Sequence, residues 1–328
     1  MIKGFWGKLK KPIMVLAPMA NVTDCAFRRV IAKHGKPDVI WTEFVSCDGL
    51  MSRGREHLMI DFKYDESERP IVAQIFGSKP ELFFKTAQLI KELGFDGIDI
   101  NMGCPDKNVE KQGAGACLIK TPELAKEIIL ATQAGAPDLP ISVKTRIGYN
   151  KNMLAEWLPV LLSANPAAIT VHARTRKEMS LVPARWEHVK EAVEIRDRLQ
   201  TGEDKTLILG NGDVKNLTEA YQKVEETGCD GVMIGRGIFG NPWLFNKTMI
   251  GKEIPTAEKL KVMIEHTKLF EELLGEHKGF ELMKKHYKAY VNGFDNAKEL
   301  RIELMEKAEN AAAVEEVVNN FLKNNPSI

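Results

Sequence analysis

Gly97-Ile98-Asp99-Ile100-Asn101-Met102-Gly103-Cys104-Pro105 reads as a buried strand that breaks into a loop carrying a thiol. Apolar residues alternate as far as Asn101. Gly103 and Pro105 then stop the strand, and a second glycine turn follows at Gly113-Ala114-Gly115-Ala116. A cysteine on such a loop can donate or accept a proton, or attack a substrate. Packed elsewhere it would be only a small hydrophobe.

The same pattern recurs on both sides of this stretch. Short apolar, β-branched runs predict strands at 13–17, 39–44, 71–76, 97–101, 141–145, 168–172, 206–209 and 231–234. Helical periodicity falls between them, over 79–93, 122–134, 153–163, 186–199 and 217–227. Near-continuous apolar strands fit a parallel sheet covered on both faces. Eight such βα units over residues 1–250 predict a (β/α)8 TIM barrel, with a doubly wound sheet as the runner-up.

Barrel active sites lie at the C-terminal ends of the strands. There the chain places Pro18 and Met19, Glu43, Gln74, Asn101 with Cys104, Lys144 and Arg146, His172 with Arg174 and Arg176, Asn211-Gly212, and Gly235-Arg236. Taken singly, Lys144 reads as a solvated charge, Gln74 as a loop-closing amide and His172 as a satisfied core histidine. Together they are expected to converge on one site. Asn211-Gly212-Asp213 and Gly235-Arg236-Gly237 follow the seventh and eighth strands, where these barrels hold phosphate. Glycines let backbone N–H groups approach an anion, and Arg236 adds charge. Gly235–Gly240 also matches G-x-G-x-x-G, but no βαβ unit comes after it, so a Rossmann reading is set aside. One phosphate position, with Gln74 and the Lys144 cation deeper in the barrel, suits a mononucleotide such as FMN. Lys144 would then face the ring edge where negative charge collects on reduction.

The composition sets outer limits. The 328 residues carry a net charge of +1 and five cysteines, an odd number with no C-x-x-C pair. Reduced thiols, no metal site, no membrane span and a cytoplasmic monomer are expected. After Pro255 only helical patterning remains, with Thr256 as the expected N-cap and later helices at 282–292, 297–310 and 314–324. Residues 251–328 are therefore expected to form a small helical-bundle domain. Acidic residues slightly outnumber basic ones there, yet Lys284, Lys285 and Lys288 cluster on one helix with Arg301 beyond.

Several of these runs carry a family resemblance. Ala17-Pro18-Met19-Ala20 with Thr23-Asp24 and Phe27-Arg28, Asn101-Met102-Gly103-Cys104-Pro105, Gly113–Ala116, Val143–Gly148, Val171–Arg176, Asn211–Asp213 and Gly235-Arg236 are similar to the tRNA-dihydrouridine synthases. The likeness runs from about residue 13 to 245. It implies an FMN enzyme that reduces the uracil C5–C6 bond in tRNA. NADPH would reduce the flavin, hydride would pass from N5 to C6, and Cys104 would protonate C5. The resemblance also implies that Pro18, Met19 and Ala20 line the flavin and that Gln74, Lys144 and His172 bond to it. Asn211, Gly212, Asp213, Gly235 and Arg236 would surround its phosphate, and Asn101 would hold the uracil. The C-terminal helices would bind tRNA through Lys284, Lys285, Lys288 and Arg301, with Arg174 and Arg176 guiding the strand to the barrel mouth. A chain ending near residue 250 is then expected to keep FMN and lose tRNA recognition. A thiol of ordinary pKa, roughly 8.5, is protonated at neutral pH and so suits an acid. Glu43 has no assigned role, and the 177–185 segment lacks the glycine the family often carries there. Two alternatives stand beside this reading. A small-molecule FMN barrel resembling dihydroorotate dehydrogenase leaves the C-terminal helices, Arg174 and Arg176 unexplained. A non-catalytic tRNA-binding protein leaves Cys104, Lys144 and His172 without purpose.

Overall fold

The computed structural model describes residues 3–202, 204–326 and 328. Eight strands form one parallel sheet: β1 (Ile13–Leu16), β2 (Ile40–Ser46), β3 (Ile71–Phe76), β4 (Gly97–Met102), β5 (Ile141–Arg146), β6 (Ala168–His172), β7 (Leu207–Asn211) and β8 (Gly231–Ile234). Their spatial order is β1-β8-β7-β6-β5-β4-β3-β2. The two ends meet, because Asp38 N–H donates to the Met14 carbonyl at 2.8 Å and Leu16 N–H to the Val39 carbonyl at 3.3 Å. The sheet is therefore a closed barrel, and each strand lies within a few residues of the run that predicts it.

Alternation along the strands separates two environments. Ile98, Ile100 and Met102 point outward into the layer beneath the helices. Ile13, Val15, Trp41, Val72, Leu209 and Met233 fill the interior. Trp6, 2 % exposed, plugs the bottom of the barrel with its ring 5.8 Å from that of Trp41. Polar interior residues collect above this apolar floor, toward the strand ends.

One irregularity redirects a side chain. Trp41 pairs with Val72 but Phe44 pairs with Gln74, so β2 carries one extra residue between them. Such a bulge inverts the alternation beyond it. Phe44 thereby takes the position facing the barrel mouth, and Glu43 is turned away from the site that sequence alternation assigns to it.

Helices cover the outside, including Cys25–Gly35, which the sequence pattern did not single out. Asp24 caps this helix by accepting from Phe27 N–H at 2.9 Å. The C-terminal helices span Thr256–Leu274, Lys284–Tyr290, Ala297–Lys307 and Ala311–Asn324. Thr256 is the first helical residue rather than the cap, since Pro255 holds the cap position and its carbonyl accepts from Glu258 and Lys259. The long helix of this group packs against Cys25–Gly35, where the His266 ring stacks 4.7 Å from Phe27 and the His286 ring lies 4.9 Å away. No helix among the described residues is long and apolar enough to cross a membrane.

Candidate active site

A cleft of about 300 Å³ opens at the C-terminal ends of the strands. Its walls include Pro18, Met19, Gln74, Asn101, Cys104, Lys144, His172, Asn211, Gly212, Asp213, Gly235 and Arg236, all singled out from sequence. Phe44, Arg146, Arg174 and Ser180 also reach it. Ala20 is exposed, and it lies outside these walls together with Arg176 and Glu43.

A chain of hydrogen bonds runs from the barrel centre to the thiol loop. The buried Asp99 carboxylate accepts from Ser142 Oγ at 2.6 Å and from Gln74 Nε2 at 2.7 Å. Gln74 Oε1 accepts in turn from Asn101 Nδ2 at 3.1 Å. Asn101 Oδ1 then accepts the backbone N–H groups of Gly103 and Cys104 at 3.1 and 2.9 Å. Burial pushes the Asp99 carboxyl up to about 6 despite its donors. Gln74 is thus held by the protein at both ends of its amide, while Asn101 keeps one N–H to spare. Asp99 was not expected as a site residue, although strict alternation with Asn101 puts it on the same face.

The cations divide into those already engaged and one that is not. Arg146 donates to the carbonyls of Gly103 (2.8 Å), Thr175 and Met179 (3.0 Å each), clamping the thiol loop to the segment after β6. Burial pushes it down to about 10. Arg174 donates to the Val182 carbonyl at 2.6 Å and pairs with Asp213. Its third nitrogen lies 3.2 Å from His172 Nε2. A guanidinium can only donate, so Nε2 accepts and the histidine proton sits on Nδ1. Burial, then the charges of Lys144, Arg146, Arg174 and Arg236, hold His172 well below its usual value and therefore neutral. Lys144 differs from the arginines. Burial pulls its ammonium down to about 8. Among the described residues nothing hydrogen-bonds to it or pairs with it. Cys104 is half-buried, and burial raises its thiol above the ordinary value, so it is protonated at neutral pH.

The turn after β7 is built for close approach. Gly212 has φ +131°, and a Cβ there would lie 2.7 Å from that of Ala184. Its carbonyl accepts from Trp186 Nε1 at 2.9 Å. Asn211 Nδ2 donates to the Met233 carbonyl at 2.8 Å, joining this turn to β8. Asp213 accepts from Arg236 at 2.7 Å and from Ala184 N–H at 2.8 Å, besides Arg174. Burial would raise the Asp213 carboxyl, but these donors hold it below the usual carboxylate range. Arg236 remains largely exposed at the rim.

The remaining residues singled out from sequence lie away from the cleft. Arg176 pairs with Glu110 and rests 5.4 Å from the Tyr149 ring. Lys284 donates to the Met305 carbonyl at 2.9 Å, and Arg301 to that of Val291 at 2.7 Å. Lys285 is half-buried facing Asp24 and Glu43, and burial lowers its ammonium. Lys288 alone of these four is exposed. His, Cys, Asp and Glu side chains gather into no metal-binding group among the described residues.

The sequence profile of the family described as Dihydrouridine synthase (Dus) matches residues 15–325. A probable tRNA-dihydrouridine synthase of Staphylococcus aureus (strain COL) is 41 % identical over 308 residues, covering 93 % of this chain and 92 % of the relative. The probable tRNA-dihydrouridine synthase 2 of Bacillus subtilis (strain 168) is also 41 % identical, with 93 % of each chain covered. Among solved structures, a 2-naphthoyl-CoA reductase complex matches with a TM-score of 0.53 at 12 % identity, over 75 % of this chain and 50 % of that one. The old yellow enzyme from Trypanosoma cruzi matches at 0.52 and 10 % identity, over 74 % and 89 %. These distant structures share the barrel alone. The closer sequences decide the family, and the chain belongs to the dihydrouridine synthases, flavin-dependent oxidoreductases that modify tRNA.

Proposed function

We propose that the protein reduces the C5–C6 bond of uridine in tRNA, with FMN as resident cofactor, NADPH as reductant and Cys104 as the acid. The observation that carries this reading is the pairing, in one cleft, of a protonated thiol with a desolvated ammonium that has no ion-pair partner in contact. A buried cation without a partner is unfavourable unless a ligand supplies the charge. The residues present fit FMN: Lys144 for an electron-rich ring edge, a neutral His172 with a proton on Nδ1, and the Gly212 and Gly235 turns with Arg236 for a phosphate. Bound there, FMN would supply hydride to C6 of the base, and NADPH would renew it.

The other tasks fall to the chain. Cys104 gives its proton to C5, and the thiolate left behind regains one from solvent through its half-exposed side. Lys144 and Arg146 stabilise that transient thiolate electrostatically. Asn101 fixes the thiol loop through two backbone N–H groups and has one N–H left to meet a uracil carbonyl. The base must leave its stack to reach this depth. The C-terminal helices, taken from about residue 251, hold the tRNA, and a tRNA substrate makes the cytoplasm the place of work. Arg174 and Arg176 act on the RNA indirectly, by holding the loop after β6 in shape.

Protein purified with FMN should convert uridine to dihydrouridine in an unmodified tRNA transcript when NADPH is present, read by mass spectrometry of digested nucleosides. A preparation that binds FMN and oxidises NADPH yet leaves the transcript unchanged would overturn the assignment of substrate. Failure to take up FMN at all would overturn the assignment of cofactor.

A further inference from the structure

Glu43 sits within the bulge in the middle of β2, only 4 % exposed, and the bulge turns it out of the cleft. A buried carboxylate must be paired or hydrogen-bonded on both oxygens to be tolerated. One oxygen accepts the backbone N–H of Asn21, a residue at φ +55° in the loop that follows β1. The other accepts from Lys278 at 2.7 Å, more than two hundred residues later in the chain. Lys278 also lies 2.7 Å from Asp61, and its side chain is 11 % exposed. It belongs to the segment that links the first two C-terminal helices. The loop held by Asn21 is the one whose Pro18 and Met19 line the cleft. Inside that loop, Met19 N–H donates to Thr23 Oγ1 at 2.9 Å, so a shift at Asn21 is carried back to Met19.

We infer that Glu43 is a positioning residue through which the C-terminal helices, by way of Lys278, set the Pro18–Asn21 wall of the cofactor cleft. Asp24 is also buried beside Glu43, so a second carboxyl crowds the same place. Without Lys278 this loop would rest on a buried carboxylate with no cation in contact, only Lys285 facing it from farther off. It would have to move to let water reach Glu43. The cofactor wall and the RNA-holding helices are then one mechanical unit. A chain cut near residue 250 loses the counter-charge and is expected to lose FMN affinity as well, contrary to the separation that the sequence pattern suggests.

The inference rests on the flavin reading for its first test and is independent of it for its second. Full-length wild type, Lys278→Met, Glu43→Gln and the double variant, each stripped of flavin, are titrated with FMN by fluorescence quenching. Lys278→Met should weaken binding by about tenfold, within the usual range for coupled sites. The double variant should recover most of that loss, since glutamine still accepts from Asn21 and no longer buries a charge. Hydrogen exchange of residues 17–23 in the flavin-free proteins should follow the same order: faster in Lys278→Met, restored in the double variant. Unchanged FMN affinity and exchange in Lys278→Met would overturn the inference, as would a double variant no better than the single. If wild type binds no FMN, the cofactor reading falls, and the exchange measurement alone decides the role of Glu43.

Discussion

Replacing Lys144 by Met tests the cleft through its electrostatics, and the structure fixes the window in which to look. Burial lowers the ammonium from 10.5 to about 8 without any acidic partner in contact. At about 1.36 kcal/mol per pH unit, that corresponds to about 3 kcal/mol of net unfavourable environment, burial first and then Arg146, in the flavin-free protein at neutral pH. Between pH 8 and 10.5 the unfolded chain holds a proton on Lys144 that the folded chain has released. Stability therefore rises with pH across this window. The cost is fully present below about pH 8 and gone above 10.5. Flavin-free Lys144→Met should be more stable than wild type at pH 7, and the advantage should vanish toward pH 10.5. Binding must show the opposite preference. An anionic ring edge pulls the lysine pKa back up, so FMN binding takes up a proton, and wild-type affinity should fall about tenfold per pH unit above 8. Ionisations of FMN itself are common to both proteins and cancel in the ratio of their dissociation constants. That ratio, measured by fluorescence quenching from pH 7 to 10, should be large at neutral pH and collapse on the alkaline side. A ratio that stays flat would mean that Lys144 does not meet negative charge on the cofactor.

Other expectations follow from the same contacts. Cys104→Ala should retain FMN and NADPH-driven flavin reduction but lose tRNA reduction by roughly 10²–10⁴-fold in single-turnover assays, the usual range for a positioned acid. Asp99→Leu removes the anchor of the Gln74–Asn101 chain, so it should lower the rate of tRNA reduction through misplacement of the thiol loop while leaving tRNA affinity nearly unchanged. His266, buried without a hydrogen-bond partner and pushed down to about 3, should give wild type a stability that falls relative to His266→Phe by about 1.4 kcal/mol per pH unit as pH drops from 6.5 toward 3, followed by urea unfolding. Lys288→Ala should reduce the slope of log tRNA affinity against log salt by about 0.7–0.9, whereas Arg301→Ala should show its effect as lost thermal stability, because that guanidinium supports the Val291 carbonyl.

Much of the fold is legible in the sequence because parallel strands buried on both faces must be apolar throughout. Ile13–Leu16 and Gly231–Ile234 each announce themselves this way. The helix Cys25–Gly35 does not. It buries Arg28, which pairs with Glu68 from outside the helix at 2.6 Å, so a charged residue interrupts what would otherwise read as its apolar face. The cleft residues are legible for a related reason: alternation ending at a glycine or proline marks both a strand end and a face. Glu43 escapes because a bulge of one residue leaves no trace in composition. Arg174 escapes because its partners are set by distant chain, Asp213 lying 39 residues away. On sequence alone it reads as a free cation. In the fold each of its three nitrogens already faces a partner.

The distribution of free and engaged charge says what the cleft is for. Arg146 and Arg174 spend their guanidinium groups on carbonyls, on Asp213 and on the neutral His172, so their role is to hold loops that have no regular structure of their own. Lysine could not replace them, since neither several fixed donors nor the planar fork would remain. Lys144 is left to address a ligand at the barrel centre, and Arg236, paired with Asp213 through one nitrogen, presents its remaining N–H groups at the rim. Two cationic points joined by glycine turns describe a molecule with an electron-rich ring at one end and a phosphate at the other. The thiol stands beside the inner point, where it stays protonated until charge develops next to it. That order of events requires the ammonium to be buried and the arginines to be occupied. A cleft lined with four free cations would lower the thiol pKa and deprive the reaction of its acid.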